Sequence, residues 1–413
     1  MEATTEGTQS PGGRRPTRVQ GLDPLRAVAA LAILVGHGYA LGGRGVPLSA
    51  SSFTDSLLAL TPTGVWMFFA ISGFVIARPF IDALVNGSPM LGRRGYAFRR
   101  AFRIFPLYWA CAAVVIVALD RLGTQPRDVF AHLTLLHNLV PGRQQAFINV
   151  AWTLSLEVLF YVAVPVLTAL LARWSRGVVS AERLARLIVL SAGASVALLL
   201  ACGLLAGSRP EASLYGRLSI VGMWSAFCPG LLAAVWWADR RPGPVTGVLG
   251  VVRRLTSGGP MWWAALVITA AVGYASTWTP ADLPDVAFVL GIDVGRVCWS
   301  AAFGLVVLRI VAQPEPRPVP APLAALGDWS YGIYLIHGTI LLVLIERFSS
   351  WFPLAGSGLT AYLAHLGLLL GVTLPLAAAS WHLLERPAIA LGRRLGAGSL
   401  LLRPPAVAEK RVD

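Results

Sequence analysis

Ten times along its length this chain runs for close to twenty residues with few or no charged side chains. A stretch of that kind crosses the roughly 30 Å hydrocarbon core of a bilayer as one α-helix. In lipid, every backbone N–H and C=O must be satisfied within the protein, which leaves only helices and closed barrels. The runs cover about 22–41, 64–84, 104–119, 150–172, 187–206, 217–238, 261–278, 290–312, 327–346 and 358–384. The sequence therefore predicts an all-α integral membrane protein, a bundle of about ten transmembrane helices. Composition agrees: 56% of residues are apolar and 13% charged, against about 25% charged in a soluble domain. This excludes a secreted disulfide scaffold, a disordered regulator and an ordinary cytosolic enzyme. Cys111, Cys202, Cys228 and Cys298 all fall in apolar runs, and they read as small buried hydrophobes rather than a disulfide or metal set.

The net charge of +14 is carried almost wholly by arginine; Lys410 is the sole lysine. That position in the tail leaves no Gly-Lys phosphate loop. With the N-terminus placed in the cytoplasm, 24 of the 34 basic residues fall in cytoplasmic segments, 7 in outer ones and 3 within spans. The positive-inside rule then predicts both termini in the cytoplasm and a location in the cytoplasmic membrane, so the charge records orientation rather than a nucleic-acid partner. Three parts are expected: a disordered basic tail over 1–20, a transmembrane domain over 21–394 and a C-terminal tail over 395–413. No soluble domain fits between the runs, so any chemistry belongs to the bundle.

An ionisable group inside a bilayer is costly unless it is paired or faces a cavity, which makes it a functional candidate. Arg26 and His37 are eleven residues apart, about three turns, on one helix face and about 16 Å apart along the axis. Snorkelling of Arg26 and simple packing of His37 are the plain alternative. Glu157 falls about two turns into its helix, at the depth expected for His37, as a partner for that imidazole or as half of a structural ion pair. Arg99, Arg100 and Arg103 lie together where the third run begins. Charge bias alone accounts for arginines there, while a phosphate clamp accounts for the shared face of Arg100 and Arg103. Ser330, Tyr334 and His337 recur at i, i+4, i+7, a polar stripe that lines a cavity or bonds a neighbouring helix.

Other features carry less. Ser72-Gly73 marks a close helix contact, Arg78, Asp293 and Arg296 a structural ion group, and Pro387 after Glu385-Arg386 the stop of the last helix. His132 and His137, five apart, are expected on different faces of an amphipathic stretch and not as metal ligands. The chain lacks a Gly-x-Ser-x-Gly elbow, a His-Glu-x-x-His and an Asp-rich metal site. A general base near one face and an arginine cluster at the other are what remain.

These residues resemble the membrane-bound acyltransferase-3 family, integral-membrane O-acyltransferases of bacterial surface polysaccharides and some antibiotics. The likeness runs from about Gly21 to Arg394. It rests on Arg26-x10-His37, Phe68-Phe-x-x-Ser-Gly-Phe74, Arg100-x-x-Arg103, Trp152-Thr-Leu-Ser-x-Glu157-x-x-Phe-Tyr161, Ser330-Tyr-x-x-Tyr334-Leu-x-His337 and Glu385-Arg-Pro387, in that order. The resemblance implies acyl transfer, with acetyl the expected group, from cytoplasmic acyl-CoA as donor substrate, with no permanently bound cofactor or metal. The acceptor is a hydroxyl of a carbohydrate: a surface polysaccharide, its lipid-linked precursor, or a glycosylated metabolite such as a macrolide. It marks Arg26, Arg100 and Arg103 for acyl-CoA and His37 for catalysis. On that basis His37 is expected as general base and Glu157 as its partner or a sugar ligand. Tyr334 and His337 are expected beside the thioester, and Trp152 and Ser330 beside the acceptor. A glycan transporter is the rival of another class.

Overall fold

Every one of the ten apolar runs falls on a helix in the computed structural model, which describes residues 19, 21–42, 60–89, 92–120, 126–143, 148–175, 178–239, 246–276, 285–313, 318–347 and 359–397. Most of the two expected tails, 1–18, 20 and 398–413, lies outside the described residues. The helices are α1 (Leu22–Gly42), α2 (Gly64–Asn86), α3 (Arg93–Ala118), the short α4 (Pro126–Leu133), α5 (Trp152–Ser175), α6 (Ala181–Leu204), the short α7 (Pro210–Arg217), α8 (Ile220–Ala238), α9 (Gly247–Thr256), α10 (Pro260–Ser276), α11 (Asp285–Val311), α12 (Ala321–Arg347), α13 (Leu359–Ser380) and α14 (Arg386–Ala397). Among the described residues, eight helices are long and apolar enough to cross a membrane, or nine if α9 and α10, bent by 94°, form one broken span. The sequence led us to expect about ten. The tenth run is α1, whose Asp23, Arg26 and His37 dilute its apolar character; it is nonetheless 21 residues long, about 31 Å.

Lipid tails are as apolar as leucine, so helices associate in a membrane through close packing and buried polar contacts rather than the hydrophobic effect. The tightest pairing is α2 on α8. A Cβ on Gly73 would run into the Phe227 carbonyl, and one on Gly230 into the Ala70 carbonyl. The Ser72-Gly73 signal for a close contact holds at Gly73. Helices α1 and α12 run side by side in the same direction. Gly327 abuts the Asp23 backbone at one level, and His37 meets His337 further along.

Three local expectations are corrected. Pro387 does not end the last helix. The chain passes through a single π turn, Trp381–Glu385, and continues as α14. Proline costs little near a helix start, where its missing N–H has no intrahelical partner, and the wide π turn supplies such a break. The ion group around Asp293 takes Arg217, not Arg78. Arg217 grips the carboxylate through Nε (2.8 Å) and Nη2 (2.9 Å), and Arg296 adds Nη1 at 3.1 Å. Arg78 stacks instead over Trp237 and Phe74.

His132 and His137 do not part to different faces. Helix α4 stops at Leu133, Leu135 takes a left-handed φ of 57°, and the reversed chain lays the two rings 4.4 Å apart, stacked at 21°. Spacing read on one continuous helix misses a reversal made by a buried leucine. Of the cysteines, all four free, Cys111, Cys202 and Cys228 are buried, as expected of small apolar side chains.

Candidate active site

A cavity of about 1290 Å³ enters the bundle from the end carrying the arginines of α3, larger than a typical drug-sized site. Its walls come from α1, α2, α3, α5, α12 and α14. Arg26, Arg100, Arg103, Glu157, Ser330 and Tyr334 line it, residues far apart in sequence that the parallel and antiparallel helices bring to one space. The cavity runs from exposed arginines to a buried end at Thr153 and Tyr334. There the Tyr334 hydroxyl meets Thr153 Oγ1 at 2.7 Å and donates to the Val150 carbonyl at 2.9 Å, and its ring stands edge-on to Phe68.

The two arginines of the Arg100-x-x-Arg103 pair are held differently. Arg103 faces Glu385 at 3.6 Å and lies between the rings of Tyr331 and Trp381. The π turn is what aims Trp381 and Glu385 at it, and Ser380 steadies the carboxylate through a 3.1 Å hydrogen bond. Arg100 lies over Tyr96 and Tyr161, and its buried Nε has no hydrogen-bond partner among the described residues. A buried guanidinium donor without an acceptor is poised to take an anion. Arg26 pairs with Asp23 at 3.3 Å, with 30% of its side chain exposed towards the cavity.

Glu157 is not the partner of His37. Its Oε1 accepts from Ser72 Oγ and Tyr161 Oη, each at 2.9 Å, and Arg26 is among its electrostatic neighbours. The expected common depth fails because α5 does not begin at the surface. The start of α5 is sunk into the bundle, where Val150 packs on Gly338 and accepts from Tyr334. Glu157 therefore sits at the level of Arg26.

The partner of His37 is His337. Nδ1 of His37 lies 3.0 Å from Nε2 of His337, and the rings stack at 5.3 Å. His337 Nδ1 lies 2.8 Å from the Ile333 carbonyl, which only accepts, so that nitrogen carries a proton. With both rings neutral, Nε2 of His337 then accepts from Nδ1–H of His37, and the lone pair left over is on Nε2 of His37. A second shell that sets the tautomer in this way is what a general base needs. His337 is fully buried, whereas His37 keeps part of its surface. Neither lines the cavity, which stops one turn short at Tyr334. Trp152 also lies off the cavity, edge-on to Phe69, while Ser330 is buried in its wall.

Sequence reasoning missed the His37–His337 pair, the role of Thr153 and the contribution of α14. The first two join residues about 300 and 180 positions apart, beyond any local pattern. Glu385 falls one residue past the last apolar run, where the sequence marks only a helix end.

A family model described as an acyltransferase domain matches residues 19–382. The chain is 27% identical to nodulation protein 10 of Rhizobium leguminosarum bv. viciae, over 92% of this chain and 95% of that protein. It is 26% identical to the exopolysaccharide production protein ExoZ of Rhizobium meliloti (strain 1021), over 83% of this chain and 94% of that protein. No solved structure matches.

Proposed function

The chain belongs to this acyltransferase-domain family, and on that premise we propose that it transfers an acyl group, acetyl in the simplest case, from acyl-CoA to a hydroxyl of a cell-surface polysaccharide or its lipid-linked precursor. The arginine-lined mouth faces the cytoplasm in this reading, where the charge bias of the sequence puts it. Arg100 and Arg103 bind the donor's phosphates, and the buried end of the cavity takes the thioester towards Tyr334. The acceptor reaches His37 from the other side of Tyr334.

His37 Nε2 removes the acceptor hydroxyl proton as the oxygen attacks the thioester carbonyl. The tetrahedral intermediate collapses, the C–S bond breaks and the CoA thiolate takes the proton back from His37. His337 holds His37 in the required tautomer and orientation. The observation that carries the reading is the His37–His337 hydrogen bond one turn beyond the Tyr334 end of a large cavity lined with arginines. The name of the exopolysaccharide-producing relative supports the carbohydrate acceptor. The test is transfer of labelled acetyl from acetyl-CoA to isolated surface glycan by the purified protein. His37→Ala, with protein level matched, should lose at least about a hundredfold in rate; retained transfer would remove His37 from the mechanism.

A further inference from the structure

The cavity holds a carboxylate that the proposed mechanism leaves unused. Thr153, Glu157 and Tyr161 recur at i, i+4, i+8 along α5, and all three line the cavity. They mark three depths, each about 6 Å from the next. Tyr161 lies under the guanidinium of Arg100, and Thr153 meets Tyr334 at the buried end. Glu157 therefore stands midway between the proposed phosphate site and that end. Both protein donors to its carboxylate, Ser72 Oγ and Tyr161 Oη, go to Oε1. Oε2 has no hydrogen-bond partner among the described residues and is not closed off in the wall. Across the cavity, Gly338 packs on Val150 and Tyr334 bonds Thr153, so α12 runs antiparallel to α5. Ser330, which also lines the cavity, is then one turn from the Thr153–Tyr334 contact, at the level of Glu157. No hydrogen bond engages its Oγ among the described residues. Arg26, paired with Asp23, is the neighbouring cation.

We propose that Glu157 and Ser330 hold the first amide of the donor's pantetheine arm: Oε2 of the carboxylate accepts from the amide N–H, and the Ser330 hydroxyl donates to the amide C=O. This rests on the acyl-CoA reading and deepens it. The pantetheine arm is neutral and carries two amides between the pyrophosphate and the thiol. The nitrogen of the first is six bonds from the nearer phosphorus, about 7 Å at ordinary bond lengths, which matches the one turn from the level of Tyr161 and Arg100 to Glu157. An amide drawn out of water needs partners for both its N–H and its C=O. The two walls offer one acceptor and one donor at this depth, and an ionised acceptor makes the stronger bond. The carboxylate also repels phosphate, which keeps the anionic end of the donor at the arginines while the neutral arm passes. The N-acetyl group of an acceptor sugar is an amide too. The acceptor arrives on the other side of Tyr334 in this reading, which favours the donor.

The test is calorimetric binding of three probes to the full chain in neutral detergent: CoA, a CoA analogue with an ester in place of the first amide, and the nucleotide without pantetheine, adenosine 3′-phosphate 5′-diphosphate. The variants are Glu157→Gln and Ser330→Ala. Glutamine keeps an oxygen for Ser72 and Tyr161 and turns a donor to the cavity, so a merely structural role survives it. The parent should bind CoA about tenfold or more tightly over the ester analogue, the gain expected of one charge-assisted hydrogen bond. Glu157→Gln should lose that factor for CoA, while binding the ester analogue and the bare nucleotide no more weakly than the parent does. Ser330→Ala should weaken CoA and the ester analogue alike, by about threefold or more, and leave the nucleotide unchanged. A parent indifferent to the amide overturns the proposal, as does a Glu157→Gln variant that weakens all three probes equally. A Glu157→Gln variant that binds CoA as the parent does, but shows a raised KM for the glycan alone, assigns the carboxylate to the acceptor and also overturns it. Should Glu157→Gln not fold, an unchanged CoA affinity in Ser330→Ala overturns it as well. Failure of the parent to bind either CoA or the nucleotide removes the acyl-CoA reading itself, a result distinct from the others.

Discussion

At the scale of single residues, the arrangement turns on which atom of His37 is left with a lone pair. The Ile333 carbonyl settles that at one remove, through His337. His337→Leu keeps the helix and removes the acceptor, so the rate should fall about a hundredfold with little change in the KM for acyl-CoA. His337→Gln, whose side-chain oxygen accepts from Nδ1–H of His37, should recover much of the loss, which a purely structural role would not allow. Steady-state kinetics on the two variants separates these outcomes. Arg26, His37, Arg100 and Arg103 were legible as candidates because lipid makes a charged or polar side chain expensive. Asp23 stands three residues before Arg26 on the same helix, a local pair, whereas His337 and Glu385 are fixed by helix placement.

At the scale of elements, the buried Asp293 with Arg217 and Arg296 ties α7 to α11. Removing the carboxylate strands one buried guanidinium group, Arg217, and one half-buried, Arg296. Asp293→Ala should therefore destabilise the protein by about 3–5 kcal/mol, read as a fall in unfolding temperature in detergent. The α4 turn carries a different vulnerability. Burial pushes His132 down to about 4, with Arg143 adding to the effect and Asp128 opposing it. Burial and the neighbouring His132 push His137 down to about 3.

Both rings are thus neutral when folded, while an unfolded imidazole takes a proton near 6.5. Stability is unaffected above that value and falls as the pH drops from about 6.5 towards the folded values, by about 1.4 kcal/mol per pH unit for each ring. Unfolding temperatures at pH 7 and pH 5 should show the fall, and a His132→Phe/His137→Phe variant should flatten it. Helix type and location were readable from the apolar runs. The reversal at Leu135 was not, because a left-handed leucine leaves no local mark.

At the scale of the whole molecule, the bundle combines an arginine-lined mouth with a buried end at Tyr334, and sets the His37–His337 pair one turn beyond it. If the mouth faces the cytoplasm, an Arg394→Cys protein in intact cells should react with a membrane-impermeant maleimide only after permeabilisation. Labelling without permeabilisation would invert the orientation. The sequence by itself determined that the chain is helical and membrane-embedded, which faces are polar, and the family it resembles. The first two follow from period, length and the cost of charge in lipid, and the resemblance from short motifs in a fixed order; all are local or additive properties. Tertiary structure alone decided that Glu157 pairs with Ser72, that His337 supports His37, and that α14 forms a wall of the mouth. The sunken start of α5, the parallel run of α1 with α12 and the π turn before α14 set those contacts. The first two are relations between helices distant in sequence, fixed by how their small residues let them approach, and the π turn acts by aiming α14 at α3.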